Sequence, residues 1–429
     1  MRSMGNRHGP AGSVGTRTQP AAEYDGGLTT DRNFHIKSTR HIMILAGEPS
    51  GDFHGAALVR ALKQLCPGIR TTGIGGKEMA GQGADIFFPI DKLSAMGLVQ
   101  VIRQFGTIKQ AFSLVKRRLK TDLPDAVVLI DYPGFNLKIA GFIKQHYDIP
   151  VCYYIAPKVW AWNAKRLDTI AKVTDHVALI FPFEIPIYKA KKISATYVGN
   201  PLVDEYPQSL PVLSKDNKKG LSNDLLIGLL PGSRSAEIDK LLPVMLDSAG
   251  IIAKRYPHLR FLISSGIKQH EERIKHIVSH HPNSDLCRIV TGRPKQIFDR
   301  TSLLIAASGT VTLEAALNFV PTVIIYKMSD VAYRLAQLLV KTKYIGLANL
   351  IVGRQVMPEL IQDNANAKAI SETVLSMLPE LENHKQQLYQ VRRRLGLPGA
   401  PKRTAAIILN LIHKNEAPKT CLTNSGKSD

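Results

Sequence analysis

LLIGLLPGSRSAEIDK, residues Leu225–Lys240, decides the fold class. Leu225 to Leu230 is a short apolar run, the pattern of a buried strand. Pro231-Gly232 breaks it, and a polar helix with Glu237 and Asp239 in its first turns follows. A strand, a tight glycine turn and a helix start make an anion site. Free backbone N–H groups and the positive end of the helix dipole point at whatever lies beyond the strand. Gly232 lets the backbone approach a ligand closely, Ser233 adds a hydroxyl, and Arg234 can grip phosphate with two N–H donors. The loop has no Walker lysine and no GxGxxG, and by itself it also reads as an ordinary strand-to-helix connection with a surface arginine.

The same unit recurs on both sides of this stretch. Ile42–Ala46 is an apolar strand, followed by GEPSGD (Gly47–Asp52) and a helix expected from about Phe53 to Leu65. Gly, Ser and carboxylate at the end of a first strand favour a ligand loop, with Ser50, Gly51 and Asp52 in it, over a plain connection. Ala126–Ile130 delivers Asp131 to its carboxyl end in IDYPGFN. An acid there either meets a ligand or caps the next helix. In ASGTVTLEAAL, Ser308, Gly309 and Thr310 open a helix and place Glu314 one turn inside it. That is a second helix N-terminus available for phosphate. Glu314 could accept hydrogen bonds from vicinal hydroxyls, or be a solvated or capping glutamate. Trp160 and Trp162 stand beside Lys158, Lys165 and Arg166. They could stack a sugar, grip a phosphate, or pack a loop. Leu347–Gln362 reads as loop-like at its glycine and proline, and mixes Asn349 and Arg354 with an apolar helix start.

Strand and helix alternate, pause at the polar residues 208–223, and restart at Leu225. This predicts an α/β protein of two Rossmann-like βαβ domains. The boundaries read as 39–207 and 224–370, with helices over 371–413 and disordered ends at 1–38 and 414–429. For 1–38 an organellar transit peptide stays open beside an upstream start codon or a plain tail.

Composition narrows the function. The 429 residues carry a net charge of +21, which attracts polyanions such as nucleic acid, an anionic membrane or phosphorylated substrates. The basic residues are dispersed and no RNA- or DNA-binding motif stands out. Four widely spaced cysteines without a CxxC argue against a zinc site or a disulfide framework. No apolar run is long enough to span a bilayer. Residues 97–120 place Leu98, Val101, Ile102, Phe105, Ile108, Phe112, Val115 and Leu119 at helical spacing among basic residues. The stripe either faces a core or meets anionic lipid.

GEPSGD, SAMGLVQV, IDYPGFN, YYIAPKVWAW, GNPLVDE, LLPGSRSAEI, ASGTVTLEAAL, YKMSDVAYRLAQLLVKTKYIGLANLIVGR and PELIQ occur together in this order. With them the chain from about Arg40 to Asn410 resembles the lipid-A-disaccharide synthases, glycosyltransferase family 19. The resemblance implies a GT-B fold, with two Rossmann-like domains facing a central cleft. It implies an inverting transfer of 2,3-diacylglucosamine from its UDP derivative to the 6-hydroxyl of 2,3-diacylglucosamine 1-phosphate, with no cofactor and no metal. It implies Asp131 as base or acceptor-positioning group, with His54 as a fallback base. On the donor side it points to Gly232, Ser233, Arg234, Ser308, Gly309, Thr310, Glu314, Asn349 and Arg354. On the acceptor side it points to Ser50, Gly51, Asp52 and Trp160. It assigns Met96, Leu98, Val101, Ile102 and Phe105 to acyl chains and the membrane surface. The implied location is the cytoplasmic face of the bacterial inner membrane, peripherally bound, with a homodimer open. Gly134 stands where this family often has Asp, and Ala156 where it often has Ser. A UDP-sugar epimerase on the same scaffold is the alternative enzyme. It would share the donor site but leave YYIAPKVWAW and the basic amphipathic stretch without a clear purpose.

Overall fold

The computed structural model describes residues 40–93, 100–159, 165–206, 225–266, 268–292, 294–329, 333 and 342–416, with the backbone alone for 100–105, Lys165 and Lys268. These belong to one compact unit that carries two parallel sheets. The first has seven strands: β1 (His41–Ala46), β2 (Arg70–Gly75), β3 (Asp85–Pro89), β4 (Ala126–Ile130), β5 (Val151–Tyr154), β6 (His176–Leu179) and β7 (Ala195–Tyr197), in the order β3-β2-β1-β4-β5-β6-β7. The second has six: β8 (Leu226–Leu230), β9 (Arg260–Ser265), β10 (Cys287–Thr291), β11 (Leu303–Ala307), β12 (Thr322–Tyr326) and β13 (Glu359–Ile361), in the order β10-β9-β8-β11-β12-β13. Central strands such as β4 and β11 are buried along their whole length. Helices cover both faces of such sheets, so these strands read as continuous apolar runs rather than alternating ones.

In each sheet the strand order reverses once, between β1 and β4 and between β8 and β11. The crevice outside the strand ends at such a reversal is where open α/β sheets bind ligands. Register fixes which loops meet there. Ala46 pairs with Ile130, which sets the Gly47 loop beside Asp131. Leu230 pairs with Ala306, which sets the Pro231–Arg234 loop beside Ser308.

Several boundaries differ from the sequence reading. The first helix is Pro49–Leu65, so Ser50, Gly51 and Asp52 lie in its first turn rather than in a loop. Pro49 explains this, because proline at the first helical position has its dihedral preset and no N–H to lose. The 347–362 stretch holds a helix, Leu347–Val352, and β13. β3, β7 and β13 are short edge strands, incompletely buried and without a clean period. The last helix, Ala400–Glu416, reaches past residue 413 and packs against Pro49–Leu65 of the first sheet. Arg40 pairs with Glu416, and Arg403 Nε donates to the Val198 carbonyl at 2.6 Å. The chain thus returns to its starting lobe. Between the lobes, Phe181, Leu202, Val203 and Tyr206 share a buried cluster with Leu230, Leu313, Leu388 and Val391. Each such buried aliphatic side chain contributes about 1.5–3 kcal/mol.

Candidate active site

Asp131 sits at the reversal of the first sheet. It and Tyr132 both have left-handed backbone, each with φ 46°. Non-glycine residues held there cost on the order of 1–3 kcal/mol each and persist only when their surroundings fix them. Here the Asp131 carbonyl accepts from the Tyr153 hydroxyl at 2.8 Å and from Asn136 Nδ2 at 2.8 Å. Asn136 Nδ2 also reaches the carbonyls of Leu45 and Ile130, tying β1 to β4. Gly47 carries no Cβ because the Tyr132 ring occupies that space. The helix Pro133–His146 is capped by Tyr132 without a side-chain bond, so Asp131 is not its cap. Burial holds the Asp131 carboxyl above the usual carboxylate range, against the Tyr132 N–H and the Lys158 charge, which pull it down.

Glu48 stands beside it, at the N-cap of Pro49–Leu65 and without a side-chain capping bond. Partial burial and the charge of Asp131 raise its carboxyl, while Arg234 lowers it. Arg234 follows β8 of the second sheet, so charges from both reversal points act on this one carboxyl. Arg234 is highly exposed there and is steadied by Glu237 Oε1 at 3.0 Å.

On that second side, the ends of β8, β9 and β11 enclose a cavity of about 220 Å³. Gly232, Ser233, Ser308, Gly309 and Thr310 all line it, together with Ser264, Gly266, Pro294 and Glu237. Gly232 has φ +112°, a conformation that glycine adopts without penalty. A Cβ there would lie 2.5 Å from Glu237 Oε2. Gly309 is different: its backbone is extended, and a Cβ would meet nothing within 4 Å. The helix Thr310–Leu317 begins at the cavity and Ser235–Arg255 begins beside it, so two helix N-termini serve one small space, with Glu237 at its edge. Glu314 lies one turn into Thr310–Leu317. Burial raises its carboxyl, and the Tyr206 hydroxyl, donating to Oε2 at 2.8 Å, lowers it again.

Other expected residues are used differently. The Asp52 carboxylate is 4% exposed and accepts from the N–H groups of Gly76, Glu78 and Met79. It organises the start of the helix Lys77–Gly81 instead of facing the opening. Asn349 is fully buried, donates to the Met357 carbonyl and Glu359, and accepts from Val356 and Met357 N–H. Every polar group of that side chain is used within the fold, which corrects its assignment as a donor contact. Arg354 is exposed, and Nη1 donates to Gln387 Oε1 at 3.3 Å, on the helix Leu381–Leu395. Burial pushes His54 down to about 4, which makes it a weak base. Met96, Leu98 and Trp160 lie outside the described residues, as do the side chains of Val101, Ile102 and Phe105. Further along their helix, Gln100–Thr121, Ala111, Val115 and Leu119 are buried in the core, and Lys116 Nζ stands 4.0 Å from the Phe142 ring centre.

The sequence reading did not single out Glu48, Ser264 or Tyr206. Glu48 lies inside GEPSGD and is found by its position two residues past a strand at the sheet reversal. Ser264 is the penultimate residue of β9, whose end reads like any other. Tyr206 shows itself through contacts with residues distant in the chain, its hydroxyl reaching Glu314, 108 residues away.

The family model for Lipid-A-disaccharide synthetase matches residues 42–406. The Lipid-A-disaccharide synthase of Geobacter metallireducens is 37% identical over 383 residues, 87% of this chain and 98% of the relative. That of Coxiella burnetii is 36% identical over 380 residues, 87% of this chain and 99% of the relative. Among solved structures, Acinetobacter baumannii MurG matches with TM-score 0.53 at 18% identity, over 86% of this chain and 99% of that one. UDP-GlcNAc 2-epimerase from Neisseria meningitidis, bound to UDP-GlcNAc, matches with TM-score 0.55 at 13% identity, over 87% and 100%. The structural matches establish the two-sheet GT-B architecture and leave the choice of chemistry to the sequence relatives. The chain belongs to the lipid-A-disaccharide synthase family of glycosyltransferases.

Proposed function

We propose that the protein transfers 2,3-diacylglucosamine from its UDP derivative to the 6-hydroxyl of 2,3-diacylglucosamine 1-phosphate. The products are the β-1′,6-linked disaccharide 1-phosphate of the lipid A precursor and UDP. The observation that carries this reading is that the charges of Arg234, from the end of β8, and Asp131, from the end of β4, both act on the Glu48 carboxyl. One side of the opening suits an anionic leaving group and the other suits a hydroxyl nucleophile.

The acceptor oxygen attacks the anomeric carbon from the face opposite UDP, which inverts that centre. Its proton passes to the Asp131 carboxylate as the C–O bond to the diphosphate breaks. A carboxyl raised by burial accepts a proton more readily than a free one, and such a base contributes on the order of 10²–10⁴ in rate. The electron pair leaves on the β-phosphate. Backbone N–H groups at Gly232, Arg234, Gly309 and Thr310, two helix dipoles and the Arg234 guanidinium receive that charge. Glu314 anchors the ribose hydroxyls. The +21 charge supports peripheral binding to an anionic membrane surface, from which acylated substrates must be lifted.

UDP release from UDP-2,3-diacylglucosamine, measured with and without the acceptor and with EDTA present, tests the reading. Release that requires the acceptor and yields a β-linked disaccharide supports it. Conversion of the donor to an epimer without acceptor would replace it with the epimerase reading.

A further inference from the structure

Tyr206 is 7% exposed and is the last residue described before the stretch 207–224 that connects the two sheets. Its backbone N–H bonds Leu202 of the first lobe at 3.0 Å. Its carbonyl accepts from Arg392 Nη1 at 2.7 Å, a guanidinium carried by the helix Leu381–Leu395 of the second lobe and itself 8% exposed. Its hydroxyl donates to Glu314 Oε2. One residue at the lobe junction is therefore fixed at both backbone ends and has its hydroxyl on the carboxylate assigned to the ribose.

We infer that Tyr206 is a positioning residue for the donor: its hydroxyl orients Glu314 so that the remaining carboxylate oxygen, Oε1, receives the ribose hydroxyls of the UDP group. The inference rests on the proposed donor role of Glu314. The physical reason is orientation. A glutamate side chain has three rotatable bonds, and holding one oxygen fixes the direction of the other before the ligand arrives. Burial also favours the neutral carboxyl, and the hydroxyl donor opposes that shift. The tie reaches further than the ribose. Tyr206 begins the connection between the lobes, so the donor-side carboxylate and the lobe junction share one hydrogen-bonded unit.

The test compares two ligands on the same protein. UDP and 2′,3′-dideoxyuridine diphosphate, which lacks the ribose hydroxyls, are titrated calorimetrically into wild type, Tyr206→Phe and Glu314→Gln. Wild type should prefer UDP. Tyr206→Phe should lose about tenfold of that preference, the size of one hydrogen bond to a charged group, while its affinity for the dideoxy ligand stays at the wild-type value. Tyr206→Phe introduced into Glu314→Gln should change the preference no further. A partly unfolded variant would lower the active fraction for both ligands alike and leave the ratio intact. Equal weakening of both ligands in Tyr206→Phe would overturn the inference and leave the tyrosine a structural role only. A preserved preference in Tyr206→Phe would also overturn it. No preference in wild type would instead overturn the ribose assignment of Glu314, on which the inference stands.

Discussion

At the end of β4 the backbone turns through two left-handed non-glycine residues, whereas at the end of β8 the single left-handed residue is Gly232. The first site is strained, acidic and held by side-chain hydrogen bonds from Tyr153 and Asn136. The second is unstrained, lined by glycine and hydroxyl groups, and flanked by helix starts. A base must be aimed at one hydroxyl, so its carbonyl, backbone and surroundings are all fixed. A diphosphate carries its charge over several oxygens, so open backbone and dipoles suffice. Two sheets of the same topology thus present different chemistry across one opening.

The largest effect should come from the acidic side. Asp131→Asn should lower turnover by about 10²–10⁴. It should not lower thermal stability at neutral pH. The folded state raises this carboxyl, so the native protein holds the proton more tightly than the unfolded chain. The stability that this proton supplies is lost as pH rises from the unfolded value through the folded one, and the ionised carboxylate is a cost above that window. Asparagine removes the cost and tolerates left-handed backbone. A melting curve against pH, flatter on the acid side for the variant, checks the sign.

On the other side, Arg234→Ala should cost about 10²–10³ in kcat/KM. Arg234→Lys should recover only part of it, because a point charge cannot form the two parallel bonds of a guanidinium. Equal activity of Lys and Arg variants would mean that the opening needs charge alone.

The two glycines sharpen the contrast within the donor side. Gly309→Ala places a methyl group in open cavity space, so melting should be unchanged while UDP binding weakens by about 1–3 kcal/mol. Gly232→Ala forces a left-handed alanine against Glu237, so melting itself should fall. The smallest effect on function belongs to Asp52→Ala. Loss of the acceptor for three backbone N–H groups, that of Met79 buried, should cost about 1–3 kcal/mol of stability in urea unfolding. UDP affinity per folded molecule should not move.

The strands that build both reversal points were legible because they are almost wholly buried apolar runs followed within two residues by glycine or acid. The donor loop was legible for the same reason: Pro231-Gly232 and Ser308-Gly309 mark where a strand stops and a helix begins. Asp52 and Asn349 show where such reading fails. Both are small polar residues inside family motifs, and their hydrogen bonds run to backbone 24 to 27 and 7 to 8 residues away. A motif signals that a residue is needed without showing whether ligand or fold needs it. Glu48 and Tyr206 failed in the opposite direction, since neither residue type is unusual in its neighbourhood and each acquires meaning only when the lobes are assembled.

The division of labour between the two sides is tested most directly by the affinity of Asp131→Asn for UDP, measured by calorimetry beside its turnover. The account predicts wild-type UDP affinity together with the loss of acceptor-dependent UDP release. An affinity for UDP that falls in step with turnover would contradict it, because Asp131 would then serve the donor side as well.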